Sequence, residues 1–191
     1  MNESAHDMKS VCSKTLRVAL MTLMLGVAPA GAGAASAQFE QHEVVAVFLF
    51  NFSHFITWPD SRFEAPSSPF RYCVVESQTV ADALAEVIEG ESSGGHPLQL
   101  VPVSGPEDLN SCHVVFWSEA DQERFLGADN TTNGLTALTV TDSEDLQCEG
   151  AMIALGSTGP RVRPIINVAA VIAAGLQINS KLMSIAQPCD G

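Results

Sequence analysis

The sequence predicts an α/β fold, a single three-layer domain with a mostly parallel sheet flanked by helices and stapled by disulfides. Three observations predict it. Short β-rich runs alternate with helical periodicities from about residue 70 onward. At 191 residues, with 46% hydrophobic and 16% charged side chains, the chain can bury one core and is not disordered. Four cysteines follow residue 37, an even number that suggests two bridges.

The first 37 residues read as an address. Lys9, Lys14 and Arg17 precede the apolar block Val18 to Ala28, and a small-residue tail ends in Ala35-Ser36-Ala37, the three-part pattern of a secretory signal peptide cleaved after Ala37. An uncleaved anchor stretched through Gly26 to Ala35 is the rival reading, and either one places the domain 38–191 outside the cytoplasm. Cys12 precedes the apolar block, so it is not the cysteine of a lipid anchor at the cleavage point. Loss of the leader removes three basic and two acidic residues and takes the formal charge from -13 to -14. So acidic a domain is not built to grip nucleic acid or anionic lipid.

From His42 to Trp58, Val44, Phe48, Phe52 and Phe55 recur at helical spacing until Pro59 stops the run, which predicts a first helix facing the core. A place on a membrane surface is the alternative, but the polar residues of this helix are not cationic. A turn at Pro66 to Pro69 leads into the strand Phe70 to Val75. Thr79 to Glu89 carries Val80, Ala83, Leu84, Val87 and Ile88 on one helical face. Leu98 to Val103 alternates as a strand, Glu107 to Leu109 makes a short helical turn, and His113 to Trp117 is a buried strand. Glu119 to Leu126 fits a helix behind the N-cap Ser118, and Leu135 to Val140 fits a strand before the acidic loop Thr141 to Glu144.

Beyond Cys148, the strands Ala151 to Leu155 and Val162 to Ile166 are close enough for an antiparallel hairpin. Asn167 caps the helix Val168 to Ala174, Gly175 stops it, and Ser180 to Ala186 forms a last turn or two. Cys73 and Cys112 lie at or near the starts of strands that are neighbours in a doubly wound order 2-1-3. A strand spacing of about 4.8 Å suits the Cα separation of roughly 5.5 Å that a disulfide prefers. Cys148 then pairs with Cys189 by exclusion. Two inert staples are one reading. A redox-responsive Cys148–Cys189 bridge, close to a chain end that can fray, is the other.

Catalytic patterns are missing from the sequence. No G-x-G-x-x-G follows Cys73, no G-x-S-x-G or H-E-x-x-H occurs, and Gly156 to Arg161 reads as a hairpin turn rather than a phosphate cradle. His42, His54, His96 and His113 lack metal-ligand spacing, and the acidic clusters at 119–123 and 142–145 lack the pattern of a calcium loop. No metal or cofactor is expected. Asn130-Thr131-Thr132 is a glycosylation sequon, relevant only in a host that uses it.

Four segments carry a family resemblance: VVAVFLFNFSHFITWP at 44–59, PFRYCVV at 69–75, CHVVFW at 112–117 and RVRPIINVAAVIAAGLQINSKLMSIA at 161–186. Asn51, Phe52, Phe55, Trp58 and Pro59 end the first helix, Gly150 to Ile153 form a Gly-Ala-Met-Ile strand, and Ile-Asn-x-Ala-Ala comes late, at Ile166 to Ala170. Together they make the chain resemble the YfiR family of bacterial periplasmic proteins over nearly its whole length after residue 37. The resemblance implies a non-enzymatic, commonly dimeric α/β domain. Such a domain binds the periplasmic part of an inner-membrane diguanylate cyclase and holds it inactive, lowering cyclic di-GMP and biofilm growth. It also implies an outer-membrane lipoprotein that sequesters the repressor, and redox control through disulfides.

Cys73 and Cys112 match a cysteine pair of the family, and Cys148 matches another family cysteine. The usual near partner of the latter is missing from Ala151 to Gly156, which leaves Cys189 as a substitute or Cys148 as a free thiol. Arg62 stands where the family can offer a basic residue to a small ligand. Two other classes remain: a periplasmic small-molecule-binding sensory module acting with another membrane sensor, with a cleft at the C-terminal edge of the sheet, and a hydrolase assembled from distant residues.

Overall fold

The run FRYCVV shows how the sheet is built. In the computed structural model, which describes residues 40–118, 135–143, 148, 150–158 and 161–189, Phe70–Val75 is strand β2. Its Phe70 and Tyr72 point into one core and Cys73 and Val75 into another. Period-two alternation delivers successive side chains to opposite faces, so one strand serves two cores. Strands β5 (Val114–Trp117) and β6 (Leu138–Thr141) follow the same rule and are buried along their whole length. Val114, Phe116, Leu138 and Val140 join the first core, while Val115 and Trp117 join the second.

The remaining strands of this sheet are β3 (Ser92–Ser93), β4 (His96–Val101), β7 (Ile153–Thr158), β8 (Arg161–Ile166) and β10 (Gln187–Pro188). Their order is β10-β8-β7-β6-β5-β2-β4-β3. Pairing is parallel from β4 through β2, β5 and β6 to β7, and again between β10 and β8; the β3–β4 and β7–β8 pairs are antiparallel. The segment β4-β2-β5 is the expected 2-1-3 arrangement, and β7–β8 is the expected hairpin, in register from Ile153↔Ile166 to Thr158↔Arg161.

Helices flank the sheet. On the face of the first core lie α1 (Gln41–Phe55), α2 (Gln78–Ile88), α3 (Val168–Ala173) and α4 (Ser180–Ile185), contributing among others Leu49, Leu84, Val171 and Leu182. The 3-10 helix Pro106–Ser111 packs Leu109 into the second core. A capping box starts α1: the Glu43 Oε2 accepts the Glu40 N–H at 3.0 Å. Asn167 Oδ1 accepts the Ala170 N–H at 2.9 Å and starts α3, which ends at Gly175 with φ +78°, a conformation that favours glycine.

Several expectations shift. The first helix stops at Phe55, not Trp58, because Ile56–Thr57 (β1) pairs antiparallel with Gln177–Ile178 (β9), and the Asn179 N–H donates to the Phe55 carbonyl. Its buried stripe is Val45, Leu49 and Phe52, while Val44, Phe48 and Phe55 are only half-buried. The strand expected over 98–103 runs from His96 to Val101. The leader 1–37, the helix at 119–126 and the sequon at Asn130 lie outside the described residues.

Candidate functional site

Because α1 is apolar over most of its circumference, the sheet cannot cover all of it. Val44, Phe48 and Phe55 line a groove of about 320 Å³ between α1 and α4, closed on the far side by Leu182 and Ile185. Only Glu43 and Asn51 among its lining residues are polar, and the Asn51 amide is engaged, donating from Nδ2 to the Val47 carbonyl at 2.7 Å. Val47 and Ile185 stand as ridges, 47% and 53% exposed. An isolated apolar side chain at a surface is ordinary, but a continuous apolar trough with exposed ridges marks a contact surface.

Charge on the two sides of the groove differs. Past the Val47 ridge, a second hollow toward α2 carries Glu43, Asp82, Glu86 and His42 and no lysine or arginine. Past Ile185, a third hollow holds Arg163 beside Phe48 and Ser184. Thus α1 lies between an acidic flank and a cationic one.

The cysteines are joined as the strand order requires. Cys73 and Cys112 are bonded with their Cα atoms 5.9 Å apart, and Cys148 and Cys189 with theirs 5.6 Å apart. The second bridge fastens the chain segment just after α4. There β10 pairs with β8, the Cys189 N–H donates to the Ile166 carbonyl at 3.0 Å, and Asn167 Nδ2 donates to the Cys148 carbonyl at 2.7 Å. Cys148 itself has φ +75°, a left-handed conformation costly for a residue with a Cβ. One wall of the groove is therefore tethered through a bridge at the sheet edge.

Arg62 lies elsewhere, in the 3-10 turn Asp60–Arg62. Its guanidinium donates to the Cys112 carbonyl at 2.7 Å and to Thr136 Oγ1, bracing the approach to β5, and burial holds its pKa below the ordinary arginine value. Next to it is an aromatic stack: Phe63 lies on His96 at 3.7 Å and on His113 at 4.6 Å, and Phe70 lies on His113 at 4.8 Å. Burial, followed by the positive charge of Arg62, pushes the His113 imidazole down to about 4. The Arg62 backbone opposes this shift, while Arg71 and His96 add to it. Trp58 Nε1, Arg62 Nε and His113 Nε2 are buried without a hydrogen-bond partner.

Among the described residues, no group of three histidine, cysteine or acidic side chains is placed to hold a metal ion, and no helix is long and apolar enough to cross a membrane. At the C-terminal edge of the sheet, Glu76 follows β2 with φ +52° beside a hollow formed with Ser77, Gln78 and Pro102.

The model of the YfiR/HmsC-like family matches residues 42–187. The chain belongs to this family. Membership in the YfiR/HmsC-like family supports a periplasmic regulator role in general, and two disulfides fit an oxidising compartment. No curated protein matches the chain. A solved crystal structure of a conserved domain protein from Vibrio cholerae O1 biovar El Tor strain N16961 is similar at 14% identity and a TM-score of 0.44, over 80% of this chain. The chain spans 61% of the length of that structure.

Sequence reasoning found the four cysteines and their pairing. It missed the groove, whose walls are more than 120 positions apart, although the surplus of apolar positions on α1 was its trace.

Proposed function

We propose that this protein, exported with its leader 1–37 removed, is a non-enzymatic periplasmic regulator that binds the periplasmic region of an inner-membrane diguanylate cyclase. By holding that enzyme inactive it lowers cyclic di-GMP and biofilm formation. The observation that carries the reading is the apolar groove between α1 and α4 in a chain of a regulatory family. Inhibition by binding needs only a surface that prefers one conformation of the partner. A swing from 1:99 to 99:1 takes about 5.5 kcal/mol of differential affinity. Each fully buried aliphatic or aromatic side chain contributes roughly 1.5–3 kcal/mol, so a few groove contacts within a standard interface of about 1,600 Å² suffice. A second copy and an outer-membrane lipoprotein are further partners within this reading.

The test is crosslinked co-purification of the tagged protein from its native cells, with captured membrane proteins identified by mass spectrometry. A membrane protein with a diguanylate cyclase domain supports the proposal, as does a rise in cyclic di-GMP on deletion. Capture of only a sensor kinase, or of no membrane protein under several crosslinking chemistries, overturns it.

A second reading, a small-ligand module at Arg62, has one observation behind it: Arg62 Nε and the neighbouring His113 Nε2 are buried and unpartnered, and a polar ligand would satisfy them. Ligand-dependent shifts in melting temperature that vanish in Arg62→Gln support it; shifts unchanged in that variant reject it.

A further inference from the structure

We infer that the occupant of the α1–α4 groove is an α-helix of the membrane partner, with an apolar stripe toward the groove and basic residues on the flank that faces α2. This rests on the regulatory reading above and specifies the partner's chemistry.

The shape calls for a helix. The lining positions 44, 48, 51 and 55 of α1 recur at three to four residues and span about 16 Å at 1.5 Å per residue, three turns, which matches anchors at i, i+3 or i+4, and i+7 of a docked helix. The backbone argument agrees. The walls are side chains of two helices, with Glu43 and Asn51 the only polar lining residues, and Asn51 Nδ2 is already used. An extended segment laid here would bury N–H and C=O groups with no partner, whereas a helix satisfies its own. The groove contains no sheet edge to which a strand could add.

Charge sets the orientation. The flank toward α2 presents Glu43, Asp82 and Glu86 and no lysine or arginine, and the opposite flank presents Arg163. Basic side chains along one edge of the incoming helix meet the acidic flank, and an uncharged or acidic opposite edge meets Arg163. A second copy of this chain fits less well. It sets the same concave trough and the same acidic flank against themselves, and, without the leader, a formal charge of -14 against -14.

The experiment uses the protein lacking the leader and two designed fluorescent peptides of about 18 residues, helical by design, with the same leucine stripe. One carries lysines along a single flank and the other glutamates. The lysine peptide is expected to bind roughly tenfold more tightly by anisotropy. The pair Asp82→Lys and Glu86→Lys should remove most of that preference, and the control pair Glu91→Lys and Glu107→Lys, exposed positions off the groove, should leave it. Val47→Gln with Ile185→Gln should weaken both peptides. Equal affinity of the two peptides, or equal loss with the control pair, overturns the inference. A dimer in sedimentation that Val47→Gln with Ile185→Gln converts to monomer also overturns it, since the groove is then filled by a second copy. Neither peptide contains cyclase sequence, so failure here leaves the capture of a cyclase standing, and failure of that capture leaves this result readable.

Discussion

Arg71 and His113 hold each other by two reciprocal bonds: the His113 backbone N–H donates to the Arg71 carbonyl at 2.8 Å, and the Arg71 N–H donates to His113 Nδ1 at 3.0 Å. The imidazole thus takes the place of a backbone acceptor where β2 and β5 begin to pair, one residue before the register Tyr72↔Val114. The bond requires Nδ1 to be unprotonated.

That requirement makes stability pH-dependent. Free histidine titrates near about 6.5, and His113 in the fold is lowered to about 4. Between these values the unfolded chain binds more protons, so the contribution is full above the unfolded value and is lost as pH falls through the folded one. Melting temperatures measured from pH 7.5 to 4 should fall across this window. His113→Asn, which keeps an acceptor without titrating, should flatten the slope; an unchanged slope removes His113 as its cause.

Floor and ridges of the groove should separate in urea denaturation. Phe52, fully buried, should cost about 3–5 kcal/mol on replacement by alanine. Val47→Gln and Ile185→Gln remove exposed side chains and should stay within about 1 kcal/mol of the wild type. Losses of 3 kcal/mol or so at both ridge positions would mean that these residues serve the fold rather than a partner.

Opening the Cys148–Cys189 bridge should loosen the end of the chain. Its cysteines are 41 positions apart, and closing a loop of that size stabilises by up to roughly 4 kcal/mol in the chain-entropy model. In Cys189→Ser, hydrogen exchange should quicken over 177–189, including α4, while β2, β5 and β6 stay protected. Binding of the lysine peptide should weaken with it. Uniform quickening along the whole chain would show that the bridge holds the fold globally.

Asn167 supports two elements at once, capping α3 through Oδ1 and holding the Cys148 carbonyl through Nδ2. Asn167→Asp keeps the cap and loses the second bond, whereas Asn167→Ala loses both. Thermal melts should therefore rank wild type above Asp above Ala, with a total loss of about 1–2 kcal/mol. Equal melting of Asp and Ala would assign the effect to the bond with Cys148 alone.

Much of the fold was legible because local pattern and tertiary role coincide. FRYCVV alternates and became a strand shared by two cores; Asn167 and Gly175 bracket a helix as cap and stop; and the order β4-β2-β5 brought Cys73 to Cys112. Other features had no local cause. In VVAVFLFNF nearly every position is apolar, so periodicity could not choose between the stripe with Val44 and Phe48 and the one with Val45 and Leu49. The sheet and neighbouring helices made that choice. The two-residue strands β1, β9 and β10 exist only because distant chain segments meet, whereas β3 folds back on β4 across Gly94-Gly95. For the same reason the groove, with Val47 and Ile185 on its two sides, could not be read from sequence, nor could the bond from Arg62 to Cys112.

The two bridges close loops that neither overlap nor nest: residue 112 is already bonded in a loop that ends before residue 148 begins the next. A chain that crosses a membrane N-terminus first presents Cys73 and Cys112 as a pair before either later thiol emerges, and Cys148 then meets Cys189 when the last residues arrive. Oxidation in order of arrival yields the native connectivity, one of the three that four cysteines permit. For a chain exported in that order, this connectivity calls for a thiol oxidase rather than for a disulfide isomerase.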